Sequence, residues 1–200
     1  VFGTRTGSIA ECVDWAMAAG SGPAVLAESG DNPTGGGVGD RAEVLAELIA
    51  REARGVVFAG IADAPATDMA YAAGVGGTIT TRIGATLDSS SRPVQAEGEV
   101  MFLLETGEAR LREAVVRIGG IDLVLTARRR PFHNIADFTR LGLDPRTARI
   151  VVVKSGYLSP ELAPIANPSL MALSPGVVDQ FVERLERRHK SGPQYPFDRD

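Results

Sequence analysis

A glycine-rich segment, residues 29–40, carries the residues best suited to binding a ligand. It places four glycines within five positions and is called the glycine loop below. Glycines let the backbone approach a ligand because no Cβ atoms intervene. The loop lies between a predicted strand and a predicted helix, where backbone N–H groups and the helix dipole converge in open α/β sheets. We therefore predict a substrate-binding loop whose candidate residues are Asp31, Asn32, Gly35, Gly36, Gly37, Gly39 and Asp40.

The glycine loop matches neither of the familiar phosphate-binding motifs. Its spacing does not give Gly-x-Gly-x-x-Gly, and no Gly-Lys-Ser/Thr follows it. The sequence therefore gives no support for nucleotide binding. The alternative interpretation is a flexible connector, in which residues 31–33 form a turn and Asp40 caps the next helix.

Two basic segments are further candidates for holding a substrate. Arg128 and Arg129 leave a predicted hairpin, and guanidinium groups bind carboxylates or phosphates. Adjacent side chains on an extended segment point in opposite directions, so a solvated or acid-paired surface is the alternative. Lys154 and Ser155 follow a predicted strand and could reach the same sheet edge as the glycine loop. A lysine in such a place acts in catalysis or, more often, pairs with a carboxylate.

Few residues are available for metal-dependent or nucleophilic catalysis. The chain has two histidines, His133 and His189, and one cysteine, Cys12. A catalytic zinc normally takes three protein ligands, mostly from His, Cys and carboxylates, so a self-contained zinc site is not expected. Ser155 has no Gly-x-Ser-x-Gly context and no identifiable base. We therefore predict no catalytic residue and no metal ligand in this chain.

The composition is that of a globular domain without a strong overall charge. The 200 residues are 44% hydrophobic, and 21 Lys and Arg against 25 Asp and Glu give a net charge of −4. No sequence-wide field attracts nucleic acid or an anionic membrane, and the apolar runs fall far short of the ~20 residues of a spanning helix. One cysteine forms no internal disulfide, so we expect a cytoplasmic protein. Because the sequence begins at Val1 without a leader, we also expect part of a longer protein.

The candidate residues require an α/β fold to position them. Residues 24–59 read strand, glycine loop, helix and strand, which predicts a βαβ unit with parallel strands. Alternation over 94–102 and a two-glycine turn at 119–120 predict antiparallel strands within residues 77–127. Helices are predicted from Ser8, over 65–73, over 134–141 and from Ser174, with a further strand over 150–153. The predicted fold class is α/β, a mixed sheet with βαβ units and an inserted antiparallel β block, with helices on the faces. Residues 1–200 form one domain, with an irregular tail over 191–200.

Residues 24–40 resemble the strand and the Asp-Asn-Pro-Gly-Gly-Gly-x-x-Gly-Asp loop of one family, the C-terminal domain of MlrC-like metallopeptidases, or microcystinase C family. Further matches follow in the same order over residues 72–76, 116–126, 128–132, 141–145, 150–155 and 163–166. Thr34 and Val38 depart from the pattern, and residues 156–162 lack the His-Phe-Arg stretch usual in the family.

This resemblance implies the C-terminal domain of a longer, two-domain bacterial peptidase. The N-terminal domain would hold zinc, this chain would hold none, and the chain alone would be inactive. The implied partners are that metal-binding domain and a small peptide or amide substrate. A second copy of the chain is a further candidate partner, and from the net charge we expect no nucleic acid and no membrane. From its chemistry, the glycine loop is expected to form one wall of the substrate cleft. The alternatives are a stand-alone ligand-binding or regulatory module and a metal-independent enzyme that uses Lys154.

Overall fold

The computed structural model describes residues 4–180 and 192–193, and within them the chain forms nine strands and four α-helices. The strands are β1 (Arg5–Gly7), β2 (Ala24–Glu28), β3 (Arg54–Ala62), β4 (Thr78–Ile83), β5 (Val94–Leu103), β6 (Glu113–Ile118), β7 (Gly120–Thr126), β8 (Ile150–Lys154) and β9 (Ser169–Ala172). The helices are α1 (Ile9–Met17), α2 (Glu43–Ala50), α3 (Ala64–Ala73) and α4 (Ile135–Thr139), and short 3-10 turns occupy Ala109–Leu111 and Ala163–Ile165.

All nine strands join one mixed sheet in the order β1-β9-β2-β8-β3-β7-β6-β5-β4. The first six strands in this order are parallel neighbours, whereas β7, β6, β5 and β4 are antiparallel neighbours. The predicted α/β class, the parallel βαβ unit and the antiparallel block are therefore confirmed. The sequence did not predict that β8 inserts between β2 and β3, or that β1 and β9 complete one side of the sheet.

Helices and turns cover both faces of the parallel strands, which explains why β2, β3 and β8 are apolar except at their ends. Alternate residues of β2 enter different cores: Leu26 belongs to the cluster that includes buried residues of α1, α2 and α3, whereas Val25 belongs to the cluster that includes Phe132 and Phe138. The strands β2 and β8 are buried at every position. The sheet is therefore fixed from both sides, and its polar residues collect where the strands end.

Local signals place most helix starts. Ser8 and Glu11 form the predicted capping box of α1, and Asp63 caps α3 by accepting a hydrogen bond from Ala66 N at 2.9 Å. The prediction that Asp40 caps α2 is wrong, because the N-cap is Ala42 and makes no side-chain hydrogen bond there. No helix in the part of the chain that the structure describes has the length and apolar character to cross a membrane.

The C-terminal predictions fare differently. Residues 175–180 form bends and turns, so a helix does not begin at Ser174. Residues 174–178 instead bind the start of the glycine loop. Ser174 Oγ accepts a hydrogen bond from Gly30 N at 3.0 Å, and Val178 N donates to Gly30 O at 3.1 Å. The remainder of the predicted helix, residues 181–190, lies outside the described residues, as does the predicted tail apart from 192 and 193.

Candidate functional site

The candidate site lies at the carboxyl edge of the parallel strands. The glycine loop follows β2, Lys154 ends β8, Asp63 follows β3, and Arg128 lies two residues beyond β7. The topology therefore brings the predicted segments to one edge, which is where ligands bind in open α/β sheets. The connection between β4 and β5 also reaches this edge, because Gly84 N donates to Asp63 Oδ2 at 2.8 Å.

Asp31 and Asn32 hold the glycine loop in one shape. The two carboxylate oxygens of Asp31 accept hydrogen bonds from Gly39 N and Arg41 N, each at 2.8 Å. The backbone oxygen of Asn32 accepts from Gly35 N at 3.1 Å and from Gly37 N at 2.8 Å. Buried charge-assisted hydrogen bonds of this kind order a loop strongly. The segment is therefore a braced loop and not a flexible connector.

Two of its glycines are required by space or by backbone conformation. A Cβ on Gly37 would lie 2.6 Å from the carbonyl carbon of Asp31, so a side chain there displaces backbone. Gly36 has a φ of +108°, a backbone conformation that residues with a Cβ rarely adopt. No atom lies within 4 Å of the position that a Cβ on Gly36 would occupy. Gly36 is thus exposed and open to a ligand, whereas Gly37 is buried in the turn.

Lys154, the last residue of β8, connects the glycine loop to the sheet through its ammonium group. Its Nζ lies 2.8 Å from Glu28 Oε2, 3.1 Å from Asp31 Oδ2 and 2.7 Å from Arg41 O. Burial alone would lower the pKa of Lys154, but the carboxylates of Glu28 and Asp31 outweigh it and raise that pKa above its usual value. All three donors of the ammonium group therefore have acceptors within the chain.

Glu28 is the less favourably placed member of this cluster. Burial raises the pKa of its carboxyl group, and the attraction of Lys154 only partly offsets that effect. Its Oε1 is buried and has no hydrogen-bond partner among the described residues. One ammonium group thus faces two buried carboxyl groups, those of Glu28 and Asp31. Lys154 is therefore the cation that compensates their negative charge.

A second cluster fixes residues 84–91 against the glycine loop. Asp40 Oδ2 accepts hydrogen bonds from the backbone N–H groups of Leu87 and Asp88. The guanidinium group of Arg41 lies 2.6 Å from Asp88 Oδ2 and 2.7 Å from Glu43 Oε1. Asp40 and Arg41 therefore position the β4–β5 connection beside the site.

The groups that remain open to a ligand are backbone N–H groups and two arginines. The N–H groups of Gly36 and Val38 have no acceptor within residues 4–180 and 192–193. Arg128 and Arg129 are exposed; Arg129 donates to Gly37 O at 3.3 Å, and Arg128 has no ion pair among the residues that the structure describes. Arg129 thus lies beside the open side of the glycine loop, and Arg128 lines a neighbouring cavity at the same edge.

The structure thus divides the predicted site residues into two sets. The residues that face solvent are Gly35, Gly36, Arg128 and Arg129. The buried ones, which shape the loop, are Asp31, Asn32, Gly37, Gly39, Asp40, Lys154 and Ser155. Ser155 is a turn residue whose Oγ hydrogen-bonds Tyr157 O. Whether any of them binds substrate stays a prediction.

Sequence reasoning missed Glu28, Arg41, Asp63 and Asp88. The signal for Glu28 was present, since a carboxylate at the end of an otherwise apolar strand requires a buried partner, which Lys154 supplies on the paired strand. Asp88 gave no such signal, because its contact with Arg41 joins segments 47 residues apart.

Two cavities differ in their relation to this edge. A cavity of about 210 Å³ lies beside the glycine loop, between the end of β3, the start of α3 and Leu87. A larger one of about 430 Å³ lies at the opposite edge, where β3 and β7 begin, near Arg54 and Gly120. Of these two, the smaller cavity lies at the same edge as the loop, and its lining residue Ala62 donates a hydrogen bond to Gly39 O.

The described residues do not fit a zinc ion. Among them, no group of three or more His, Cys, Asp and Glu side chains could hold a metal. The acidic residues of the edge already bind Lys154, Arg41 or backbone N–H groups. No catalytic step is therefore assigned to a metal on this part of the chain.

Comparison with known proteins then decides the family. The sequence profile described as MlrC C-terminus matches residues 26–189. The chain belongs to the MlrC C-terminal domain family. This MlrC C-terminal domain is 27% identical to Microcystinase C of Sphingomonas sp over 157 residues, which cover 74% of the chain and 31% of that relative.

A solved structure shares the fold of this MlrC C-terminal domain. It is the crystal structure of a protein from Mesorhizobium sp. BNC1 that carries a provisional metallopeptidase name, with a TM-score of 0.76 and 19% identity. The match covers 100% of this chain and 42% of that one. At this identity the likeness shows the fold alone. The chain spans about a third of the curated relative's length and less than half of the solved protein's.

One departure from the family loop pattern has a local explanation in this MlrC C-terminal domain. Thr34 stands where the resemblance leads us to expect glycine or serine, and its Oγ1 and N donate to Asn32 Oδ1 at 2.8 Å and 3.0 Å. The threonine therefore adds hydrogen bonds to the same turn.

Proposed function

We propose that this chain is the C-terminal domain of a zinc-dependent peptidase and forms one wall of its substrate cleft with the glycine loop. Family membership and the names of the two similar proteins support a peptidase-associated role. An N-terminal metal-binding domain of the same protein would pack on the carboxyl edge. That domain would hold the zinc, since no suitable ligand cluster occurs in the described part of this chain. The substrate would be a small peptide or amide.

The braced loop with free donors is the observation that carries this proposal. Gly36 and Val38 offer N–H groups without acceptors among the described residues, and Asp31 and Lys154 hold their loop rigid. Donors fixed before a substrate arrives bind its oxygens without the cost of ordering the loop. In this proposal, the two N–H groups hold a substrate oxygen and Arg129 holds a carboxylate. Lys154 acts as a positioning residue through Asp31.

Substitution of Gly36 in the full-length protein tests the proposal. Gly36→Val introduces a side chain on the open face of the loop, and we expect kcat/KM for peptide hydrolysis to fall at least tenfold. Gly119→Val is the matched control, because Gly119 also has a positive φ of +56° and no neighbour within 4 Å, but lies in the β6–β7 turn at the opposite edge. Backbone strain is greater in Gly36→Val, because φ is +108° at Gly36 and +56° at Gly119, so the unfolding free energy of both variants is measured beside the kinetics. Equal peptidase activity in the two would refute the role of the loop.

A stand-alone ligand-binding or regulatory module is the second candidate. It is favoured by the absence of a metal cluster and of a serine nucleophile elbow from the described residues. The two candidates differ in the response of the full-length protein to a chelator. Peptide hydrolysis that a chelator removes and zinc restores supports the peptidase, whereas ligand binding without any hydrolysis supports the module. A cytoplasmic location and a homo-oligomer stay predictions from the sequence.

A further inference from the structure

We propose that the cavity beside the glycine loop is a specificity pocket for a substrate residue that combines an apolar side chain with a nearby carboxylate. The inference rests on the proposed function and names the substrate class of the same site. The pocket, called the apolar pocket below, is lined mainly by Ala62, Ala64, Pro65, Leu87, Ala127 and Arg128.

The apolar pocket lies next to the Gly39 end of the glycine loop. Ala62 N donates to Gly39 O at 2.8 Å, which fixes the pocket floor to the loop. A Cβ built on Gly39 would lie 3.8 Å from Ala62 Cβ and 3.8 Å from Arg129 Cγ, so these three residues are neighbours. In this proposal, a substrate held by the loop extends one of its side chains past Gly39 into the pocket.

The size of the apolar pocket matches one side chain. Sites for whole drug-sized ligands measure roughly 300–1,000 Å³, whereas this cavity measures about 210 Å³. Three of its lining residues are alanines, which leave room for an incoming group. Leu87 lines the pocket and is 63% exposed, although its backbone N–H donates to Asp40 Oδ2. An apolar group in the pocket would therefore bury further apolar surface of Leu87.

The charge at the pocket comes from Arg128. Arg130, two residues on, is paired with Glu113 at 2.9 Å and with Asp137 at 2.6 Å. Arg128 is exposed and has no such acid among the described residues, so its guanidinium group is available to an incoming anion. Guanidinium groups bind carboxylates with two parallel hydrogen bonds. The ligand class is therefore an apolar residue that bears, or adjoins, a carboxylate.

Three small probes test this class by NMR saturation transfer on the full-length protein. N-acetyl-leucine carries both features, N-acetyl-leucine amide lacks the carboxylate, and N-acetylglycine lacks the side chain. We expect N-acetyl-leucine to bind at least about tenfold more tightly than either of the others, because each missing feature removes one contact. Equal affinities for all three probes would overturn the proposal.

Variants assign each preference to a residue. Ala64→Phe fills the apolar pocket from the exposed start of α3, so the preference for leucine over glycine should vanish. Leu87→Ala removes the opposite wall and should weaken the binding of N-acetyl-leucine and of its amide but not of N-acetylglycine, which gives a second test at an exposed position. Arg128→Gln should abolish the preference for acid over amide, and Arg128→Lys should keep part of it. Ala50→Phe, at the exposed C-terminal end of α2, is the control and should change nothing.

The outcomes separate this inference from the proposed function. Probe selectivity that disappears in Ala64→Phe, in a protein that hydrolyses no peptide, supports the pocket and refutes the peptidase. Peptide hydrolysis with unchanged selectivity in Ala64→Phe and Leu87→Ala refutes the pocket and leaves the peptidase standing.

Discussion

Lys154 Nζ and Asp31 Oδ2 lie 3.1 Å apart, and both side chains are almost completely buried. Lys154 ends β8, whereas Asp31 lies within the glycine loop after β2, so this contact joins two neighbouring strand ends. The same carboxylate binds the backbone N–H groups of Gly39 and Arg41. One buried ion pair therefore connects the sheet to the far side of the loop.

Replacing Lys154 should strongly destabilise the fold. Lys154→Met leaves Glu28 and Asp31 buried without their cation, and breaking a buried pair from one side costs about 3–5 kcal/mol. Chemical denaturation should therefore give a free energy of unfolding lower by about that amount. Arg146→Met, which breaks an exposed pair with Asp144, is the control and should leave stability unchanged. A loss in Lys154→Met no larger than in the control would contradict the burial of this cluster.

Much of the fold could be predicted because its signals are local. The capping box at Ser8 and Glu11, the alternation in β5 and the two-glycine turn before β7 each lie within a few residues. The insertion of β8 between β2 and β3 could not be read from such signals, since it depends on which apolar strands pair over long distances. The same holds for β9, a strand of four residues.

The candidate site was predictable in location but not in the roles of its residues. The rule that ligands bind at carboxyl strand ends placed the glycine loop and Lys154 at one edge, whereas the position of Arg128 at that edge emerged only from the structure. The roles depend on partners distant in sequence: Asp40 looked like a helix cap, but it binds the N–H groups of Leu87 and Asp88. The hydrogen-bond partners of a carboxylate decide whether it braces the loop or is free to bind substrate, and the sequence alone does not identify those partners.

Asp88 should make the protein more sensitive to acid. Hydrogen bonds from Ser90 and the guanidinium group of Arg41 lower the pKa of the Asp88 carboxyl below its usual value of 3.8. A carboxyl group whose pKa is lowered by folding adds stability above its unfolded pKa, and that stability is lost as the pH falls through the folded pKa. Asp88→Asn should therefore be less stable than the parent at pH 7, and the difference should shrink below pH 4. A constant difference from pH 7 to pH 2.5 in urea denaturation would contradict this.

The Cys12 thiol should react slowly with alkylating reagents in the folded protein. Burial raises its pKa from 9.0 to about 11, and the thiolate is the reactive form. Only about one thiol in a thousand is then ionised at pH 8. The rate of alkylation by iodoacetamide should rise about tenfold per pH unit up to about pH 11, whereas in denaturant it should level off near pH 9. Because folding raises this pKa, the thiol's contribution to stability is complete below pH 9 and falls as the pH rises towards 11. A folded-state plateau near pH 9 would show that the thiol is accessible.

Asp31→Asn should loosen the glycine loop while the sheet stays folded. The amide keeps one acceptor oxygen for two backbone donors, so either Gly39 N–H or Arg41 N–H loses its partner, and Lys154 loses a carboxylate. We expect hydrogen exchange at one or both of these amides to accelerate at least tenfold, while exchange at Val152, in the centre of β8, changes by less than a factor of two. Asp144→Asn, in an exposed pair, serves as the control. Acceleration at Val152 by the same factor would mean that the variant unfolds globally, and unchanged exchange at Gly39 and Arg41 would mean that Asp31 does not brace the loop.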